Sequence, residues 1–217
     1  SPRITYAEAA RLFGFSKAKM MERYFFFDSY IRDRQGDGIL LWEKDAFIFP
    51  KKINNRFALV HRVLPGIQVI YFDDFKQLTD DYWRDYLKNL GDYVLLDPEY
   101  RFESRNIGGG CPPIETKDGW LLIYHAVEDL RRGRTYHAGA ALLDLADPMK
   151  VIGRLKKPLF SPVEPWEKRG DVNNVVFPTG SVVKEGRLIL YYGAADKRIA
   201  AKSVDLEELL SALKNSP

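Results

Sequence analysis

The sequence has 217 residues, of which 46% are hydrophobic and 29% charged, which is typical of a folded globular protein and excludes a disordered chain. Its 33 lysines and arginines nearly balance 30 aspartates and glutamates, and no basic run dominates any segment, so no nucleic-acid partner is expected. No apolar stretch approaches the roughly 18 residues that a membrane span requires, so no membrane partner is expected either.

The cysteine content and the first ten residues indicate the cellular compartment. The single cysteine, Cys111, excludes a disulfide within the chain and a cysteine-based metal site. We therefore expect a cytoplasmic protein with no metal and no cofactor. The opening SPRITYAEAA lacks the basic and apolar regions of a signal peptide. Because the chain does not begin with methionine, we expect it to be trimmed, processed or excerpted.

The first predicted elements precede residue 40. Arg3 to Phe15 has the apolar spacing of a strand that recurs later, so the chain is expected to start halfway through a repeat. Ser16 to Gly38 and, further on, Asp80 to Asp92 mix aromatic and charged residues at helix-like spacing. We interpret both as insertions with short helices, which either pack against a partner subunit or lie as solvated helices over the rim of the fold.

Three copies of one pattern organise the rest of the chain. Each copy joins a polar turn containing Asn or Gly to a strand of alternating bulky residues, which predicts a hairpin leading into a buried strand. The copies are Lys52 to Arg62, Thr116 to Ala126 and Val183 to Gly193. A second strand follows each copy, within Ile67 to Leu78, Ala138 to Val151 and Ile199 to Leu210. The chain ends in a predicted amphipathic helix, with Leu206, Leu209, Leu210 and Leu213 on one face.

The spacing of the copies predicts the fold class. Copies roughly 60 to 70 residues apart suit four-stranded blades with long connections, so we expect an all-β protein of the β-propeller type. Residues 1–217 would form a single domain with about three and a half blades, whereas a closed ring needs at least four. Either upstream residues or another chain is therefore expected to complete the ring. The alternative is a β-sandwich with similar hairpins.

Polar residues at the ends of the repeated strands are candidate site residues. The inner strands of a propeller line a central channel, so His61, Arg62, His125 and the segment Tyr191 to Asp196 are expected to converge at its mouth. A histidine at a strand end is also compatible with a purely structural role.

Two neighbouring charged residues, Lys44 and Asp45, precede the first copy. Side chains alternate along an extended segment, so we expect only one of the two to face the channel.

A run of three glycines, Gly108 to Gly110, precedes the second copy. A phosphate-binding loop would lead into a helix, but Pro112 and Pro113 follow the glycines and favour an extended chain. We therefore expect the glycines to allow a close approach of the backbone to a neighbouring group.

Four ordered segments, Trp42 to Arg62, Asn106 to Val127, Tyr136 to Val183 and Gly186 to Leu210, closely resemble glycoside hydrolase family 130. The resemblance spans Leu41 to Leu210. It implies a five-bladed propeller that cleaves β-mannosides with inversion. The substrates implied are β-1,4-mannooligosaccharides, mannosyl-glucose or mannosyl-N-acetylglucosamine. The attacking group is inorganic phosphate, as a co-substrate, in phosphorolysis and water in hydrolysis.

The resemblance also implies roles for single residues. Lys44, Arg62 and His125 would bind phosphate, and their positive charge would attract the dianion, with Tyr136 bordering the same site. Asp45 and Asp196 would bind hydroxyls of the sugar.

Two departures from the family pattern affect the expected activity. Asn106 occupies a phosphate-binding position at which family phosphorylases carry lysine, so one positive charge is missing. The Asp-Pro-Arg motif of the general acid is not found, although Ser1-Pro2-Arg3 echoes it with serine at the acid position. We therefore expect the general acid upstream of Ser1 and impaired catalysis by this chain.

Two alternatives remain open at this stage. One is a non-catalytic protein that binds sugar or phosphate, or that serves as an assembly subunit, for example in a homo-oligomer. The other is a related propeller that acts on furanosides, but its acidic motifs are not found here.

Overall fold

The computed structural model describes residues 44–216 and the backbone of two short strands, β1 (Arg32–Asp33) and β2 (Ile39–Leu40), which pair antiparallel. The strand expected at Arg3 to Phe15 lies outside the described residues, as does the Ser1-Pro2-Arg3 echo. Most of Ser16 to Gly38 lies outside them too, and the part described there is β1.

Three open antiparallel sheets follow one another along the described chain. The first contains β3 (Lys44–Ile48), β4 (Phe57–Arg62), β5 (Ile67–Phe72) and β6 (Val94–Leu96), paired in that order. The second sheet contains β7 (Asn106–Gly109), β8 (Ile114–Glu115), β9 (Trp120–Asp129), β10 (Arg134–Leu143) and β11 (Val151–Arg154). Its strands pair in the order β11-β10-β9-β7, and β8 also pairs with β9. The third consists of β12 (Val176–Lys184), β13 (Arg187–Ala194) and β14 (Arg198–Asp205).

The repeated pattern corresponds to these sheets. Its three copies provide β4, β9 and β13, and the three second strands are β5, β10 and β14. Tight turns join the copies to their preceding strands: Glu185 and Gly186, both with positive φ (52° and 75°), link β12 to β13 in two residues. The expectation of a mostly β protein is confirmed, and the described strands do not close into a barrel.

The second sheet is buried on both faces, which explains the continuous apolar run WLLIYHAV in β9. Trp120, Leu122 and Tyr124 pack towards the first sheet, in a core that includes Phe49. Leu121, Ile123 and their neighbours pack towards the third sheet. Since side chains alternate along a strand, one ten-residue strand contributes to two cores. A two-sheet sandwich has no such middle sheet, so that alternative does not fit.

Residues 44–216 contain three α-helices. The first, α1 (Asp80–Lys88), is capped by the Thr79 hydroxyl and buries Trp83 and Tyr86 against the first sheet. The short helix expected in this insertion is confirmed, and its apolar face packs against the sheet of the same chain. α2 (Pro165–Lys168) is a single turn. α3 (Leu206–Lys214) buries the predicted leucine face against the second and third sheets. In this part of the chain no helix is long and apolar enough to cross a lipid bilayer.

Candidate active site

An open cavity of about 380 Å³ lies where the three sheets meet. It is lined by all seven residues that the family resemblance places in the site: Lys44, Asp45, Arg62, Asn106, His125, Tyr136 and Asp196. Its remaining lining residues are Leu64, Arg105, Arg134, Val172, Val175 and Phe177. The cavity thus combines cationic, carboxylate and amide groups with apolar side chains.

Lys44 and Asp45 both reach the cavity, so the expectation that only one of them would do so is wrong. Lys44 pairs with Arg62 in β4, and the register then shifts before Phe47. Asp45 adopts a left-handed backbone conformation with φ of 57° within this bulge. A bulge interrupts the alternation of side chains, which turns Asp45 to the same side as Lys44.

Asp45, Arg62 and His125 form a compact cluster. Oδ2 of Asp45 lies 3.2 Å from Nε of Arg62 and 3.8 Å from Nε2 of His125. Nη1 of Arg62 lies 3.3 Å from Nε2 of His125. The side chains of Asp45 and Arg62 are 12% and 10% exposed, and that of His125 is 1% exposed. The carboxylate therefore fixes the guanidinium in a nearly dry site.

The pKa of His125 is lowered from 6.5 to about 4, chiefly by burial; the Asp45 charge opposes this shift and the Arg62 charge contributes to it. The imidazole is therefore neutral at pH 7, and its Nε2 accepts a hydrogen bond from Arg62. This differs from the expectation that His125 contributes positive charge. Lys44 and Arg62 carry the charge, and His125 orients the guanidinium.

Gly108 lets the backbone of β7 lie against this cluster. It is opposite His125 in the β7–β9 register. A Cβ atom at Gly108 would overlap Oδ2 of Asp45 and the imidazole of His125. The geometry agrees with the expected close-approach role of the glycine run. Phe177 covers the other face of the His125 ring, with the ring centroids 4.3 Å apart.

The remaining expected residues enter the cavity from three elements. Asn106 begins β7 and is buried at 7% exposure. Tyr136 lies on β10, and its backbone N–H donates to the carbonyl of Asn174. Asp196 follows β13 in a turn in which it and Ala195 have positive φ, and this turn brings the carboxylate to the cavity.

His61 does not join the site, in contrast to the expectation. It precedes Arg62 in β4, so its side chain lies on the opposite face of the sheet. Its Nε2 lies 3.0 Å from the hydroxyl of Tyr86, and its ring contacts Trp83 edge-on. His61 is therefore a structural residue that links the first sheet to α1. Tyr191, also expected at the channel mouth, is 45% exposed and is not among the lining residues.

Two cavity arginines were missed from the sequence. Nη1 of Arg105 lies 3.2 Å from Asp129 Oδ2, and Nε of Arg134 lies 3.4 Å from Asp129 Oδ1. Arg105 directly precedes Asn106, and Arg134 lies two residues before Tyr136 on the same strand. Because residues two apart on a strand face the same side, Arg134 could have been inferred from Tyr136.

Comparison with known proteins places this chain in a family. The sequence model described as beta-1,4-mannooligosaccharide phosphorylase, that of glycoside hydrolase family 130, matches residues 15–215. The chain belongs to glycoside hydrolase family 130. The match extends upstream of Leu41, beyond the stretch over which the motifs show the resemblance.

Individual relatives of this family 130 chain are β-1,2-mannoside phosphorylases by name. The 1,2-beta-oligomannan phosphorylase of Thermoanaerobacter sp. (strain X514) is 41% identical over 179 residues, 82% of this chain and 56% of that protein. The beta-1,2-mannobiose phosphorylase of Listeria innocua serovar 6a is 37% identical over 183 residues, 83% of this chain and 49% of that protein.

A solved structure supports the same relationship. The beta-1,2-mannobiose phosphorylase from Listeria innocua, in complex with beta-1,2-mannobiose, matches with a TM-score of 0.68 at 33% identity. The match covers 83% of this chain and 49% of that one. The family 130 chain thus spans about half the length of the relatives it matches.

Proposed function

We propose that the cavity binds inorganic phosphate and a mannosyl residue, and that it serves the phosphorolysis of a β-mannoside with inversion. One observation carries the proposal. Lys44 and the nearly buried Arg62 line one cavity beside a neutral His125, together with every other residue expected from the family motifs. A guanidinium that a carboxylate holds in place beside a second cation is suited to binding a small dianion.

The chain's own residues fit a direct displacement. Arg62 and Lys44 would hold phosphate oxygens, and the Asn106 amide and Tyr136 hydroxyl would donate further hydrogen bonds. A phosphate oxygen forms the bond to the anomeric carbon as the glycosidic C–O bond breaks, and the leaving oxygen takes up a proton. Inversion converts the β-mannoside into α-mannose 1-phosphate. The donor of that proton is expected outside residues 44–216.

The two carboxylates have separate tasks in this proposal. Asp196, in its turn after β13, would accept hydrogen bonds from sugar hydroxyls. Asp45 would combine a sugar contact with its ion pair to Arg62, which sets the direction of the guanidinium. Removal of Asp45 would therefore weaken phosphate binding as well as sugar binding.

The names of the relatives favour a β-1,2-linked substrate. The proteins that are 41% and 37% identical are named for β-1,2-mannosides, whereas the family as a whole is described by β-1,4-mannooligosaccharides. Both proteins are named phosphorylases, which supports phosphate over water as the attacking group. Asn106 in place of lysine remains the one feature that favours water.

The finer fold assignment belongs to the same proposal. The three sheets would be three blades of a five-bladed propeller, within a single domain over residues 1–217. The other blades and the general acid would come from outside residues 44–216, and a second copy of the chain is one source. We place the protein in the cytoplasm, where phosphate is plentiful.

Two measurements test the function. Calorimetry of the 217-residue chain with phosphate and with mannose should show binding of both, and absence of phosphate binding would refute the site assignment. Incubation with β-1,2-mannobiose and phosphate should give mannose 1-phosphate at an impaired rate, because no general acid is identified within residues 44–216, with β-1,4-mannobiose and phosphate-free buffer as comparisons. Mannose released without phosphate would instead establish hydrolysis.

A second function rests on Asn106 and on the catalytic acid not being identified. The chain would then bind phosphate and sugar without turning substrate over. Binding in calorimetry together with no product from either mannobiose would support this function.

A further inference from the structure

A second pair of cationic side chains lies at the mouth of the cavity. Arg105 and Arg134 both line it, and both contact the carboxylate of Asp129, at 3.2 and 3.4 Å. Their side chains are 33% and 43% exposed, against 10% for Arg62. The cavity therefore has a buried cationic end and a solvent-accessible cationic rim.

The strand register explains why the rim lies further out along the sheet than the buried cationic end. Asp129 is opposite Arg134, Val127 opposite Tyr136, and His125 opposite Ala138, so Asp129, Arg134, Tyr136 and His125 share one face of the sheet. Four residues of extended strand separate His125 from Asp129, which is roughly 13 Å. The rim is thus close enough to act on an ion entering the cavity and too far to replace Arg62.

We propose that Arg105 and Arg134, held by Asp129, form an anion-capture site that recruits phosphate to the cavity. The inference rests on the proposed function and extends it to two residues outside the motifs. The two guanidinium groups share one carboxylate, so the rim keeps a net positive charge. Each guanidinium has five N–H donors, and the contacts with Asp129 involve Nη1 of Arg105 and Nε of Arg134.

The anion-capture site also explains how the cavity could bind phosphate although Asn106 carries no charge. An asparagine brings no charge to a phosphate-binding position, but the residue immediately before it is an arginine that reaches the same cavity. A cavity mouth lined by charge of one sign raises the local concentration of an oppositely charged ligand. The rim arginines would in this way favour phosphate over water as the attacking group.

Phosphate binding by Arg105→Gln, Arg134→Gln and the double variant tests this inference, by calorimetry on the full 217-residue chain. We expect each single variant to bind phosphate about five- to tenfold more weakly, because a partly exposed charge-assisted contact is lost. Arg131→Gln is the matched control. It removes the same charge from the same hairpin, is exposed and does not line the cavity, so its affinity should stay within about twofold of wild type.

Ionic strength provides a second readout. The affinity of the wild type should fall more steeply with added salt than that of the double variant, since screening acts on exposed charges. If the wild type binds phosphate and the double variant binds equally well, the inference fails and the proposed function stands. If the wild type does not bind phosphate, both fail. Far-UV circular dichroism establishes that each variant is folded.

Discussion

Arg62 donates a hydrogen bond from Nη1 to Nε2 of His125, 3.3 Å away, and burial keeps that imidazole neutral. A protonated histidine could not accept this bond, so the guanidinium depends on the uncharged ring for its orientation. Asp45 holds the same guanidinium through Nε. The phosphate-binding geometry proposed here therefore depends on a histidine that carries no charge itself.

Arg62→Gln should weaken phosphate binding on the order of 100-fold, because it removes a nearly buried charge-assisted donor. Arg62→Lys should recover only part of the affinity, since an ammonium cannot contact Asp45 and phosphate in one plane. Calorimetry with phosphate measures both. Arg101→Gln, which removes an 89% exposed arginine, is the control and should leave the affinity unchanged. Equal affinities of the Arg62→Gln variant and the wild type would contradict the site assignment.

The pKa of His125 predicts how stability depends on pH. The pKa is about 4 in the folded state and 6.5 in its ordinary range, so the unfolded chain binds more protons between these values. Stability due to His125 is therefore fully present above about pH 6.5 and declines as the pH falls towards 4. The loss amounts to at most about 3 kcal/mol.

Urea unfolding at pH 7.5 and pH 4.5 measures this loss. His125→Gln removes the titrating group, so the difference between the two pH values should shrink in the variant relative to wild type. His137, whose pKa is lowered chiefly by burial, contributes a remaining slope of the same sign to both proteins. An unchanged difference in the variant would exclude His125 as the source.

Asn106→Lys should increase phosphate affinity by about tenfold, because it adds a positive charge to the phosphate side of the cavity. The same charge lies near Lys44 and Arg62, so we expect the free energy of unfolding to fall by about 1–2 kcal/mol without phosphate. Calorimetry and urea unfolding check the two effects. Asn215→Lys, at the exposed end of α3, adds the same charge elsewhere and should change neither value. Weaker phosphate binding by Asn106→Lys would show that the amide itself is required.

The two-residue period of bulky side chains, together with the preceding Asn or Gly turn, was enough to predict β4, β9 and β13. Few structures other than a hairpin strand fit that combination. The expectation that only one of Lys44 and Asp45 faces the cavity was wrong, because the left-handed backbone of Asp45 interrupts the alternation on which it relied. His61 was wrongly expected in the cavity although the alternation of side chains is regular in β4. Because of that alternation, Arg62 faces the cavity and the adjacent His61 faces the other side of the sheet.

The two-residue period of a strand could have indicated Arg134, but neither Arg105 nor the pairing of both arginines with Asp129. Their approach to Asp129 depends on the β9–β10 register and on the path of the chain before β7, both of which are set by tertiary pairing. The packing of α1 was missed likewise, because its helical spacing does not say which surface Trp83 and Tyr86 cover.

Gly108→Ala should disrupt the site without a change of charge. The added methyl group would overlap Asp45 Oδ2 and the His125 ring, both of which are held by Arg62, so neither can move without breaking the cluster. Overpacking of this kind costs typically about 1–3 kcal/mol. We expect a loss of unfolding free energy in that range, together with weaker phosphate binding.

Gly180→Ala is the matched control for this substitution. Gly180 also lies in a strand, β12, but a Cβ atom there meets no atom within 4 Å. The free energy of unfolding of the Gly180→Ala variant should be unchanged or slightly higher than that of the wild type, because alanine restricts the unfolded chain more than glycine does. Urea unfolding and phosphate calorimetry on both variants separate the general effect of a methyl group from its effect at the cluster. Equal stability of the two variants would mean that Asp45 and His125 can relax, and the cluster would then not be the rigid phosphate support proposed here.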